Sequence, residues 1–148
     1  MIDDVYNRKI LELAADIPHL GRLATPQASA TTHSRLCGST VTVDLVLSGD
    51  VVAEFAQEVK ACALGQASAS ILGRAVVGAR IEDLRAARDG LRAMLKDGAA
   101  PPEGRFAEVK FLEPVRDYKA RHASTLLAFD AVCQAIDTIE AGRRDRSA

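Results

Sequence analysis

The run CGSTVTVDLVLSGDVVAEFAQEV, Cys37 to Val59, decides the fold. In its first half Val41, Val43, Leu45 and Leu47 alternate with Thr40, Thr42 and Asp44, the period of a strand with one buried face. Ser48-Gly49-Asp50 supplies a turn, and Val51, Ala53, Phe55 and Val59 carry a second run, so the stretch predicts a β-hairpin. By the same alternation Asp44 and Glu54 are expected to face outward. Antiparallel pairing has a chemical consequence as well. Cys37 opens the first strand and Cys62 leaves the second, so the hairpin is expected to bring both thiols to one edge of the sheet.

Outward from the hairpin, ASATTHS (Ala28 to Ser34) reads as a short strand. Upstream of it Val5, Ile10, Leu11, Leu13, Ala14 and Ile17 follow a helical period until Pro18 and Gly21, which predicts a helix of about four turns. Downstream, small residues from Gly65 onward, with Ile71 and Leu72, suit a closely packed helix ending near Gly73 or Gly78. IEDLRAARDGLRAMLKDG then puts Ile81, Leu84, Leu91, Met94 and Leu95 near one helical face, and Gly98 stops it. The charges between Glu82 and Arg92 read as a solvated face with i,i+4 support. GAAPPEGRF is a Pro/Gly turn, and from Lys119 to Ala141 a long amphipathic helix carries Leu126, Phe129, Val132, Cys133, Ile136 and Ile139. The expected architecture is α+β: a small antiparallel sheet of about three strands covered on one face by helices, with a long C-terminal helix. One domain spans residues 1–141, and residues 142–148 are expected to be a disordered tail.

Composition narrows the function. With 148 residues, 19 Lys and Arg against 20 Asp and Glu, and no basic block, nothing favours nucleic-acid or anionic-membrane binding. No run is long enough to span a bilayer, and MIDDVYNRKILELAADI lacks the basic-then-apolar order of a secretory signal. The expected compartment is the cytoplasm, where thiols stay reduced, so the 3 cysteines point to ligation, reactivity or packing rather than disulfides. There is no GxSxG elbow, GxGxxG turn, P-loop or HExxH, and no paired carboxylates stand among apolar residues. Hydrolase, kinase and dehydrogenase chemistry are therefore disfavoured.

What remains is the thiol pair. Two thiolates at a sheet edge are half of a tetrahedral site for zinc or iron, although neither CGS nor ACALG is a CxxC knuckle, and ordinary packing stands as the alternative. KACALGQASAS, Lys60 to Ser70, surrounds Cys62 with small residues just before a predicted helix, a place that favours thiolates and leaves room for a ligand. His122, at the start of the last helix, either meets this edge through a ring nitrogen or is a half-exposed histidine. His19 and His33 are expected on the surface, and Cys133, inside an apolar stripe, in the core.

HSRLCGSTVTVDLVL, EVKACALGQASASIL and RHASTLLAFDAV resemble, in order, the three cysteine-centred segments of the NifU/IscU/SufU-type iron–sulfur cluster assembly scaffolds, over roughly Tyr6 to Ile139. The long spacing between the second and third segments is similar to the SufU-type branch. RDYKARHA replaces the Leu-Pro-Pro-Val-Lys motif, so a dedicated chaperone is not implied. The resemblance implies Cys37 and Cys62 as ligands of a cluster or zinc, with Cys62 as the sulfur acceptor and His122 as a further donor. Ser39 stands where the family has aspartate, and Ala123 is matched to its third cysteine, so water, Ser39, a partner's residue or a second protomer is left to complete the set. It also implies a non-catalytic scaffold or carrier that takes sulfur from a cysteine desulfurase, holds an iron–sulfur cluster transiently, and passes it to recipient apoproteins. Two other readings stay open: a zinc-dependent sulfur-accepting transferase, and a degenerate scaffold fold used as a protein-interaction module.

Overall fold

A computed structural model describes residues 7–35 and 38–147. The hairpin forms as its alternation requires: β1 (Ala28–His33), β2 (Thr40–Ser48) and β3 (Val51–Lys60) make an antiparallel sheet in that spatial order. Its turn places Gly49 at φ +62°, the left-handed conformation that tight hairpin turns need at this position. The register sets Thr40 beside both Lys60 and His33, so the end of β1, the start of β2 and the end of β3 share one edge of the fold.

Helices cover the face carrying Val41, Val43 and Leu45, each fully buried. Against β1 and β2 lies α4 (His122–Ser147), flanked by α2 (Ala63–Ala75) and α3 (Ile81–Asp97), while α1 (Arg8–Ala15) packs on α2. The sequence predicts an amphipathic α4, but between Ser124 and Ile136 almost every side chain except Asp130 and Gln134 is buried. A helix enclosed by a sheet and two other helices keeps only a narrow polar stripe, here Asp130, Gln134, Asp137 and Thr138. Nor does it end at Ala141. It continues to Ser147, and Arg143 donates to Gly49 O at 2.8 Å, so residues 142–147 are helix where a disordered tail was expected.

Three further expectations need correction. Among the described residues the first helix is two turns, Arg8–Ala15, rather than about four, because Pro18 and a left-handed His19 (φ +62°) turn the chain to run along β3. There Gln57 N–H donates to His19 O and Gly21 N–H to Gln57 O, both at 2.9 Å. Asp44 does not face solvent. This strap covers the outer sheet face, and the Asp44 carboxylate, 1% exposed as a residue, accepts from Arg22 Nε (2.7 Å), Arg22 Nη2 (2.9 Å), Leu23 N–H (2.9 Å) and Ser29 Oγ (2.5 Å). The charges of α3 form no i,i+4 ion pair among the described residues either: Arg88 pairs with its neighbour Asp89, while Arg85 reaches Asp137 and Glu140 and Arg92 reaches Asp130, tying α3 to α4.

The stretch after the Pro/Gly turn forms a run of tight 3₁₀ turns, Gly104–Asp117, broken at Phe106. It was not expected, yet its signal is present: Phe106, Val109, Leu112 and Val115, all buried, recur every third residue, the period of a 3₁₀ helix and not of an α-helix.

Candidate functional site

Only two residues, Ala61 and Cys62, separate β3 from α2, so no mobile loop carries the central thiol. Cys62 is the N-cap of α2, in extended backbone (φ −67°, ψ 172°), and its side chain makes no capping bond. The thiol is half-buried and donates toward Ser124 Oγ at 3.6 Å. Ser124 lies in the first turn of α4, 1% exposed, and donates in turn to Arg121 O at 3.2 Å. The N-terminal turns of two helices therefore meet at this thiol, an arrangement that favours negative charge on whatever is bound there.

The small residues of KACALGQASAS serve this meeting. A Cβ on Gly65 would stand 2.7 Å from Ala61 Cβ and 3.2 Å from Ser124 O, so only glycine lets α2 approach α4 this closely. Gly73 is constrained similarly, with Gln57 Nε2 at 3.0 Å and Pro18 O at 3.2 Å from its missing Cβ. Leu64, Ala67, Ser68, Ala69 and Ser70 are all buried. The stretch that looked uncovered in the sequence is packed by its neighbours, and the exposed part of the thiol comes from the N-cap position.

Cys37, with Leu36, lies outside the described residues. Among the described residues on either side of them, Ser34 N–H donates to Ser39 O at 2.8 Å and Gly38 N–H to Ser34 O at 2.9 Å. With Thr40 opposite Lys60, β2 begins at the edge where Cys62 begins α2. Ser39 is buried. His122 is 5% exposed at the start of α4, with Nε2 at 3.1 Å from Val115 O and 3.0 Å from Arg116 O. Two carbonyls can only accept, so Nε2 carries the proton and pins α4 to the 3₁₀ run; any ligation by this ring would fall to Nδ1. Among the described residues no three His, Cys, Asp or Glu side chains converge as a metal site. The residue that meets Cys62 is Ser124, which sequence reasoning passed over in favour of Ala123. Ala123 is exposed, and one helical step turns Ser124 inward.

Cys133 belongs to the core. It is fully buried, its thiol donates to Leu84 O at 3.7 Å, and burial pushes its pKa up to about 11 despite nearby Arg88. His33 is exposed, with Nδ1 at 3.2 Å from Thr40 Oγ1. His19 packs edge-on against Phe55.

Comparisons with known proteins agree with this fold. The iron–sulfur cluster assembly scaffold protein IscU of Thermotoga maritima is 25% identical over 135 residues, 91% of this chain and 94% of that one. The crystal structure of a nitrogen-fixing NifU-like protein (N-terminal) from Brucella abortus superposes with a TM-score of 0.93 at 61% identity, covering 95% of this chain and 97% of the other. A putative iron–sulfur cluster assembly scaffold for the SUF system from Fervidobacterium islandicum shares the fold, with a TM-score of 0.82 at 19% identity, over 90% of this chain and 97% of that one. The model of the NifU-like N-terminal domain matches residues 5–125, most of the chain and all of the sheet, and the protein belongs to that family.

Proposed function

We propose that this protein is a scaffold for iron–sulfur cluster assembly in which Cys62 accepts sulfur and, with Cys37, holds iron and the growing cluster as cargo. The observation that carries the reading is the placement of Cys62. It is a half-exposed thiol at a helix N-cap, beside the edge where β2 begins, within a chain of the NifU-like family. The Thermotoga maritima relative is named as such a scaffold, which supports the assignment.

In the sulfur step the Cys62 thiolate attacks the outer sulfur of a persulfide on a cysteine desulfurase. A sulfur–sulfur bond forms on Cys62, the donor's sulfur–sulfur bond breaks, and the donor's cysteine leaves as a thiolate. Electrons balance without an added oxidant, and release of the sulfur as sulfide later takes two electrons from a separate reductant. Ser124 offers an oxygen where a further thiolate would bind a cluster more tightly, so cargo held here is suited to transfer to recipient apoproteins.

Anaerobic incubation with iron, cysteine and a desulfurase tests the proposal. The expected result is visible charge-transfer absorption that is lost in Cys62→Ser. A wild-type protein that takes up neither iron nor sulfide would sink it. Stoichiometric zinc in freshly purified protein, with stimulation of the desulfurase but no cluster, would move the assignment to a zinc-dependent sulfur acceptor.

A further inference from the structure

Among the described residues carboxylates hold several cations in place: Arg22 sits on Asp44, Lys9 and Arg74 on Glu108, Arg85 on Asp137 and Glu140, and Arg143 near Asp50. A groove of about 540 Å³ between β1 and α4 is lined by more cations than acids. Arg35 and Lys96 line it, and neither has a carboxylate within ion-pair distance among the described residues. Arg92 lines it too, matched by Asp130, the groove's one acid. Lys96 also faces a neighbouring hollow with Arg116 and Lys119, whose lining contains no carboxylate. In a chain of net charge −1 this is a local positive surface whose lining offers Asp130 as its one counter-charge.

One wall of the groove is the sheet edge. Thr31, Thr32 and His33 of β1 line it, and among the described residues no backbone hydrogen bond reaches β1 from outside its ladder with β2, apart from Gln27 N–H to Leu45 O at its start. The opposite edge is protected. Along β3 the strap at His19–Gly21 pairs with Gln57, while Val52 exchanges hydrogen bonds with Gly78 and Ala79. An open edge beside unmatched cations is a template for one more strand whose alternate side chains are acidic.

We infer that this groove binds an extended, acidic segment of a partner protein, which adds to the β1 edge and sets its carboxylates against Arg35 and Lys96. The floor contributed by Ala123, Leu126 and Leu127 takes the small apolar residues between them. A second copy of this chain is the wrong occupant, because two-fold pairing of β1 with itself brings the same cations face to face.

The test uses a short fluorescent peptide alternating glutamate with valine, titrated into the full chain at low salt, beside the same sequence N-methylated at alternate amides. Saturable binding is expected, with amide shift changes at Thr31 to His33. The N-methylated peptide, equal in charge, should bind far more weakly, and Arg35→Glu with Lys96→Glu should cost about tenfold in affinity. Three results would overturn the inference: no saturable binding by the wild type, equal binding of the N-methylated peptide, or self-association of the chain that Lys96→Glu abolishes.

Discussion

Asp44 shows how much one buried carboxylate organises. It sits on the sheet face away from the helices and gathers a guanidinium, a backbone N–H and a hydroxyl, so the strap from Pro18 to Leu23 closes over β2 through a single side chain. Hydrogen bonds from Arg22, foremost, and from Ser29 and Leu23 hold its pKa below the ordinary 3.8 although burial opposes them. A carboxylate with a depressed folded pKa contributes stability that is fully present above its unfolded pKa and is lost as pH falls through the folded value. Denaturant melts from pH 6 downward should therefore show a loss below about pH 4 that Asp44→Asn removes. At neutral pH Asp44→Ala should cost about 2–3 kcal/mol, since Leu23 N–H and Ser29 are left without their acceptor while half-exposed Arg22 regains water.

Ser124 is the residue-scale lever on the proposed function. Ser124→Cys sets a second thiol against Cys62, and a reconstituted cluster in that variant should survive a chelator on the order of tenfold longer than in the wild type. Ser124→Ala should not lengthen it. Equal lifetimes in wild type and Ser124→Cys would place the cargo away from this contact.

At the scale of elements, the N-terminal turn of α2 depends on one missing methyl group. Gly65→Ala forces its Cβ against Ala61 and the Ser124 carbonyl, so α2 must withdraw from α4, at about 1–3 kcal/mol of stability. Ordinary helix propensity would instead credit the substitution with a gain of about 1 kcal/mol. The sign of the measured change in urea midpoint separates packing from propensity. The same displacement separates Cys62 from Ser124, so sulfur uptake should fall together with stability. At the other end of α4, Arg143 holds the last turns to the hairpin at Gly49. In Arg143→Ala, amide exchange should rise over residues 142–147 and stay unchanged over the buried stretch from Ser124 to Ile136.

For the whole molecule, the core is continuous from the sheet through α4 to α2 and α3, and Cys133 lies inside it. Burial disfavours its thiolate, so an alkylating reagent at pH 8 should label Cys62 in the native protein and reach Cys133 only through global opening. The rate of Cys133 labelling should then follow the denaturant dependence of unfolding. Rapid labelling of Cys133 in native buffer would reveal a local opening of the α3–α4 contact.

The sequence by itself determined the hairpin, the order of helices and the edge to which Cys62 is brought, because strand alternation and antiparallel register are local rules that need no distant partner. It also carried the family resemblance, and with the Phe106–Val115 repeat it held one further element that an α-helical period alone could not find. Tertiary structure decided what each side chain faces. Asp44 sits on the polar side of a regular alternation, yet a strap from the N-terminal half of the chain buries it. The small residues after Cys62 looked like open space, yet α1, α4 and β3 close over them. Ser124 and Ala123 are neighbours in sequence, and only the docking of α4's first turn on α2 sends one to the thiol and the other to solvent. Burial and contact depend on elements far apart in the chain, which no local periodicity encodes.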